Sequence, residues 1–270
     1  MFGLRLSVFF AAFCVLIAPA RALVDGPWVE NEPARYRLIA AEVDGAPYAA
    51  LQIDLKPGWH TYWRYPGASG LEPEFDFADS QGVRALAPLF PAPRFFDDGV
   101  GGFNGYKGMA GFVFPLIMQP SVELKMSGLI GVCREVCVPM DVAQKLVFNR
   151  DGLQSSPHKE TIAALLKAQP QEPSKDLVIR SASFDGVSIQ LVVSGNALDD
   201  VSVITIPGPH DIIGQPRIVG RDKDAFLFEI SAWAKLDQPL IGRKLTFIVR
   251  AGERAIEQKI QVRDHRLLPQ

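Results

Sequence analysis

The sequence predicts an all-β protein of two immunoglobulin-like β-sandwich domains joined by a short helical linker. Three observations carry that expectation. Apolar and polar residues alternate with period two in segments such as Ala50-Leu51-Gln52-Ile53-Asp54-Leu55 and Val187-Ser188-Ile189-Gln190-Leu191-Val192-Val193, the pattern of strands that bury one face. Turn formers interrupt those segments throughout, with 23 Gly and 21 Pro in 270 residues, so the strands must be short. Helical periodicity is convincing in one place alone, between the two β-rich halves. At 48% hydrophobic residues the chain is apolar enough for a core in each half.

The elements follow in chain order. Arg5, the apolar stretch from Leu6 to Ala18 and the small-residue pattern Ala20-Arg21-Ala22 have the three-part layout of a secretory signal peptide at residues 1–22. The stretch falls short of the ~20 apolar residues of a membrane span. Bulky Phe13 before Cys14 argues against a lipid anchor at that cysteine. The expected location is therefore an oxidising space such as the bacterial periplasm. A first β-domain is expected over residues 23–150 and a helical linker over 151–174. In that linker Ser156 can cap a helix with Pro157 at its first position, Ile162, Leu165 and Leu166 share a face, and Pro170 and Pro173 close it. A second domain is expected over 175–264, with a tail at 265–270. Its strand candidates are Leu177 to Phe184, Val187 to Ser194, Val201 to Ile206, Arg217 to Gly220, Ala225 to Trp233, Leu245 to Arg250 and Ala255 to Val262. Short strands at this spacing suit an immunoglobulin-like sandwich.

Charge excludes one class of partner. With 28 Lys plus Arg against 30 Asp plus Glu, the net charge of -2 offers no basic field for nucleic acid. No Gly-x-Ser-x-Gly elbow accompanies His60, His158, His210 or His265, so no hydrolytic triad is visible. No cofactor is called for.

Chemistry concentrates around the cysteines. Of three in the chain, Cys14 lies in the signal, leaving Cys133 and Cys137 separated by Arg134, Glu135 and Val136. Extended residues advance about 3.3 Å each, which would carry these Cα atoms well beyond the usual ~5.5 Å of a disulfide, so a bridge requires a backbone turn between them. Closing so short a ring stabilises the fold by about 2 kcal/mol on the chain-entropy model, a poor staple for two domains. Arg134 is placed to lower a thiolate pKa, and Glu135 to raise it. Three readings remain open: a structural disulfide, a soft-metal site in which Met140 or His60 joins the two thiolates, and a redox-active dithiol. Two aromatic segments stand out besides. Gly58-Trp59-His60-Thr61-Tyr62-Trp63-Arg64-Tyr65 and Phe95-Phe96-Asp97-Asp98-Gly99-Val100-Gly101-Gly102-Phe103-Asn104-Gly105-Tyr106 could plug the end of a sandwich or shield a reactive centre. Trp59, His60, Tyr62, Trp63, Phe95, Phe96, Phe103 and Tyr106, with Arg134 and Glu135, are the residues expected to shield the site or bind a partner.

Gly58-Trp59-His60-Thr61-Tyr62-Trp63-Arg64, then Pro66-Gly67-Ala68-Ser69-Gly70-Leu71, and later Cys133-Arg134-Glu135-Val136-Cys137-Val138-Pro139 resemble the amino-terminal periplasmic domain of DsbD-type thiol:disulfide interchange proteins. The likeness is strongest to the suppressor-of-copper-sensitivity subgroup and covers about residues 35 to 150. It implies an immunoglobulin-like domain whose cysteine pair acts as a protein-disulfide reductase or electron relay. Cys137 takes the role of the cysteine that forms mixed disulfides, and Cys133 that of the resolving cysteine. The implied partners are a membrane-embedded electron donor and thioredoxin-fold periplasmic proteins that isomerise disulfides or serve cytochrome maturation. The best-known members space their cysteines more widely. The family's membrane and terminal thioredoxin domains have no counterpart in this sequence, so the donor is expected on a separate chain. The alternative is an immunoglobulin-like binding or assembly module with a structural disulfide, or one that handles copper.

Overall fold

The computed structural model describes residues 23–67, 70–99, 101–196, 199–208, 211–222, 224–233 and 239–267. The expected signal at 1–22, His210 and the last three residues of the tail lie outside them. The protein consists of two β-sandwich domains joined by a short helical linker.

The first domain is built from β1 (Val29–Glu30), β2 (Ala34–Val43), β3 (Ala46–Leu55), β4 (His60–Tyr62), β5 (Glu74–Asp76), β6 (Gln81–Ala85), β7 (Arg94–Phe96), β8 (Phe103–Lys107), β9 (Met109–Cys133) and β10 (Cys137–Asn149). They follow the order β1-β2-β3-β9-β4-β8-β7, with β5, β6 and β10 also paired to β9. The 25-residue β9 is the seam of the sandwich. Its first residues, Met109 to Pro115, pair with β3 in one layer, and its last, Ser121 to Cys133, pair with β10 in the other. Alternation then sends Leu51, Phe112 and Phe114 from one layer toward Leu124, Ile130 and Leu146 from the other, forming a closed apolar core.

The linker holds two helices rather than one. Asn149 caps α1 (Arg150–Gln154) by accepting from the Gly152 amide, and Leu153 is buried beneath it. The second helix, α2 (Lys159–Lys167), begins later than the sequence suggests, with His158 at its N-cap. Ser156 lies ahead of the helix, where its hydroxyl donates to the Ala40 carbonyl oxygen at 2.6 Å, tying the linker to β2, and accepts from the His158 amide at 3.2 Å. Ile162 is buried against Ile39, Val43 and Val113, with Leu165 and Leu166 packed beside it.

The second domain comprises β11 (Leu177–Phe184), β12 (Ser188–Gly195), β13 (Val201–Ile206), β14 (Ile212–Ile213), β15 (Arg217–Asp222), β16 (Ala225–Trp233), β17 (Lys244–Ala251) and β18 (Arg254–Asp264). All the strand candidates lie within or overlap these; β14, a short partner of β16, lacked a visible alternation. One face of β13 and β17 fills this domain's own core with Val203, Phe247 and Val249. From the opposite face, register partners Ile204 and Ile248 join the core of the first domain. Glu257 lies beside Ile248 on that face and receives Arg64 of the aromatic segment at 2.6 Å, while Arg250 donates to the Ala92 carbonyl oxygen at 3.0 Å. The second domain thereby braces the strands that carry the aromatic residues. Among the described residues no helix is long and apolar enough to cross a membrane.

Candidate active site

Cys133 closes β9 and Cys137 opens β10, so Arg134, Glu135 and Val136 are the turn of a hairpin. The cysteines are register partners, their Cα atoms are 4.1 Å apart, and they form a disulfide. This is the backbone reversal that a bridge over so short a spacing requires. The two cysteines are not equivalent. Cys133 is 2% exposed, locked in the sheet, whereas Cys137 is exposed at the turn.

Strand register delivers the neighbours. β4 lies along β9 with His60 opposite Cys133 and Thr61 opposite Val132. Because successive side chains alternate, His60 and Tyr62 share the face of Cys133. Thr61 points the other way and donates to the Gly131 carbonyl oxygen at 2.8 Å. The Tyr62 hydroxyl stands 2.7 Å from Cys133 Sγ and 3.0 Å from Cys137 Sγ. Burial, aided by the Asp98 charge, pushes the Tyr62 pKa above its ordinary value. The phenol therefore stays protonated at neutral pH and donates to sulfur, an arrangement that favours a thiolate once the bridge is open.

Two glycines make the slot for the Tyr62 ring. A Cβ on Gly131 would come within 2.8 Å of Tyr62 Cδ2 and of Leu71 Cβ, and one on Gly70 within 2.7 Å of Tyr62 Cδ1. Gly131→Ala is thus expected to push the hydroxyl off the sulfurs. A hydrogen bond to a charged group contributes roughly 1.5–3 kcal/mol, so alkylation of reduced Cys137 at neutral pH should slow by about tenfold or more. An alkylation rate unchanged across pH would remove Tyr62 from thiolate stabilisation.

An aromatic stack covers the buried side of the bridge. Phe103 of β8 lies on the His60 ring at 3.8 Å, Phe96 of β7 lies on Phe103 at 5.0 Å, and Lys107 Nζ sits 4.4 Å above Phe96. Tyr62 meets Phe103 edge-on at 5.8 Å. Asp98 accepts from the Gly102 amide at 2.7 Å and so ties the loop between β7 and β8. Burial first, then the Lys107 charge, lowers the His60 pKa, with Asp98 opposing them. On the other flank the Arg134 guanidinium lies 5.4 Å over the Trp59 ring, and Glu135 is exposed at the tip. Val136, 71% exposed, and the partly exposed Leu71 give the rim near Cys137 an apolar character.

Three of the expected shielding residues do not shield the bridge. Trp63 is fully buried in the main core, with Arg64 over its ring at 4.4 Å. Phe95, adjacent to Phe96 and so on the opposite face of β7, packs on that same core. Tyr106 donates to the Pro91 carbonyl oxygen at 2.7 Å and rests against Phe112. Met140, considered as a soft-metal ligand, is buried in the core and pairs in register with Ile130. Among the described residues no cluster of three His, Cys, Asp or Glu side chains is arranged to hold a metal ion. Asp98 and Leu71 fall within the marked segments and Gly131 beside the cysteines, but the roles of these residues and of Lys107 depend on pairing between distant strands.

Residues 28–149 match the family model described as thiol:disulfide interchange protein DsbD, N-terminal. Among solved structures, the N-terminal periplasmic domain of ScsB from Proteus mirabilis is similar in fold. It has 19% sequence identity and a TM-score of 0.75, and the match covers 90% of this chain and 100% of that one. No curated protein matches the chain. The matched residues take in β1 to β10 and both cysteines of the bridge, so it is the first domain that is similar to DsbD amino-terminal domains.

Proposed function

We propose that the protein is a periplasmic thiol:disulfide exchange module whose Cys133–Cys137 pair relays electrons from a membrane-embedded reductant on a separate chain to thioredoxin-fold partners. The observation that carries this reading is the asymmetry of the pair: an exposed Cys137 beside a buried Cys133, with one phenol hydrogen-bonded to both sulfurs. In the reduced protein the Cys137 thiolate attacks a partner disulfide, forming one S–S bond as another breaks. Cys133 then attacks Cys137 Sγ, the internal bridge forms, and the partner leaves as a dithiol carrying two electrons. The donor returns two electrons and the cycle restarts. The family match at residues 28–149 supports the exchange chemistry, and the similarity to a domain described as periplasmic supports the location.

The apolar rim of Val136 and Leu71 and the Trp59–Arg134 pair supply a surface for the partner around Cys137. Cys133→Ala tests the proposal, because it leaves the attacking thiol and removes the one that resolves. The reduced variant should accumulate a covalent adduct through Cys137 with an oxidised thioredoxin-fold protein, seen as a mass increase reversed by dithiothreitol. If a panel of such proteins yields no adduct, the exchange reading fails and the bridge is structural, in a binding or assembly module.

A further inference from the structure

We propose that His60 is the base that takes the proton from Cys133 when Cys133 resolves the mixed disulfide; the proposal rests on the exchange reading above. Resolution poses a chemical problem that the geometry makes acute. The reacting form of a cysteine is its thiolate, yet Cys133 is buried to 2% exposure, where burial favours the neutral thiol. At that exposure water has little access to Cys133. A proton acceptor inside the cluster is needed.

The charged and titratable groups around this cluster can be taken in turn. Tyr62 touches both sulfurs, but its pKa is raised, so its phenol serves as a donor and not as a base. Lys107, opposite His60 on β8, bears its ammonium over Phe96. Arg134 is held over Trp59, and Glu135 stands out at the exposed tip. Asp98 is engaged by its own loop, accepting from the Gly102 amide at 2.7 Å. His60 remains. It is the register partner of Cys133 and shares its face of the sheet, a placement that sets Cβ atoms roughly 4.5–5.5 Å apart. Its ring is held between the Phe103 face at 3.8 Å and the edge-on Tyr62 ring at 5.4 Å. Burial and Lys107 lower its pKa, so the ring is neutral and able to accept a proton at neutral pH.

The Cys133 S–H proton passes to an imidazole nitrogen of His60, and the sulfur forms its bond to Cys137 Sγ. The bond from Cys137 to the partner breaks, and the partner sulfur departs as a thiolate with the electron pair. His60 afterwards releases its proton to solvent or to that thiolate.

A stoichiometric aryl disulfide, dithiobis(nitrobenzoate), separates the steps without a protein partner. Reduced protein releases one coloured thiolate when Cys137 attacks and a second when Cys133 resolves. His60→Phe keeps a ring against Phe103 and removes the base; His60→Ala opens a space that added imidazole can enter. In His60→Phe the first phase should stay within about twofold of wild type and the second slow by about tenfold to a hundredfold at pH 7, with its pH profile moved to the alkaline side. In His60→Ala, added imidazole should restore the second phase. A second phase of wild-type rate and pH profile in His60→Phe, or the absence of imidazole rescue in folded His60→Ala, overturns the assignment. A wild-type pair that reacts in neither phase overturns the exchange reading itself. A His60-dependent second phase alongside failed protein adducts would leave the base in place and remove only the partners.

Discussion

Replacing Cys137 with alanine is expected to abolish disulfide exchange while lowering the free energy of unfolding by no more than about 2 kcal/mol. Both halves follow from where the bridge sits. Cys137 is the exposed residue of the pair, so without it a partner disulfide meets only the buried Cys133. The bridge closes a ring of minimal length across the end of a hairpin whose strands β9 and β10 are already paired in register from Cys133–Cys137 to Ser121–Asn149. Cutting it therefore frees little chain in the unfolded state and leaves the sheet pairing intact. The check is a pair of measurements on one variant: reduction of an oxidised thioredoxin-fold substrate, and the urea midpoint. A loss of more than about 4 kcal/mol, within the range for native staples of small secreted domains, would make the bridge structural.

Trp63→Ala should have the largest effect on stability, a cost of about 3–5 kcal/mol. Trp63 is fully buried among the apolar residues of the first core, and Arg64, which bonds Glu257 of the second domain, covers its ring. The substitution opens a cavity in one domain and removes the platform of an interdomain contact. Since a domain's whole stability is about 5–15 kcal/mol, the variant should accumulate poorly and melt early. Its urea midpoint, compared with that of wild type at constant slope, reads the cost directly. A loss below about 1 kcal/mol, accompanied by lost exchange, would return Trp63 to the shield over the cysteines.

The different fates of Tyr62 and Trp63 show what the sequence makes legible. Alternation and turn residues were enough to find nearly every strand of the second domain, because each strand carries its own period of two. The same period sorts the aromatic segments. His60 and Tyr62 fall on one face of β4 with Thr61 on the other, and on β7 Phe96 and Phe95 take opposite faces. Read as composition, these rings formed a single group; read as strands, they divide into a site and a core. What one segment cannot show is which strand lies beside it. That His60 stands opposite Cys133 depends on β9 crossing from one layer to the other past Pro115 and Pro120, a continuity that local turn chemistry argues against. Lys107 and Gly131 reach the site through the same register. The Ser156 hydroxyl shows the same limit: it accepts from the His158 amide just ahead of the helix, but it also donates to Ala40 of a distant strand, a contact no local pattern reveals.

Whether the pair works as a reagent or as a staple is decided by its reduction potential. Equilibrating the protein with defined glutathione ratios and counting free thiols by mass gives that value. With Cys137 exposed and Tyr62 ready to stabilise the reduced form, the potential should lie above about -300 mV, within reach of physiological thiol couples. A potential below about -300 mV, in the range of structural disulfides in secreted proteins, would make the pair a staple.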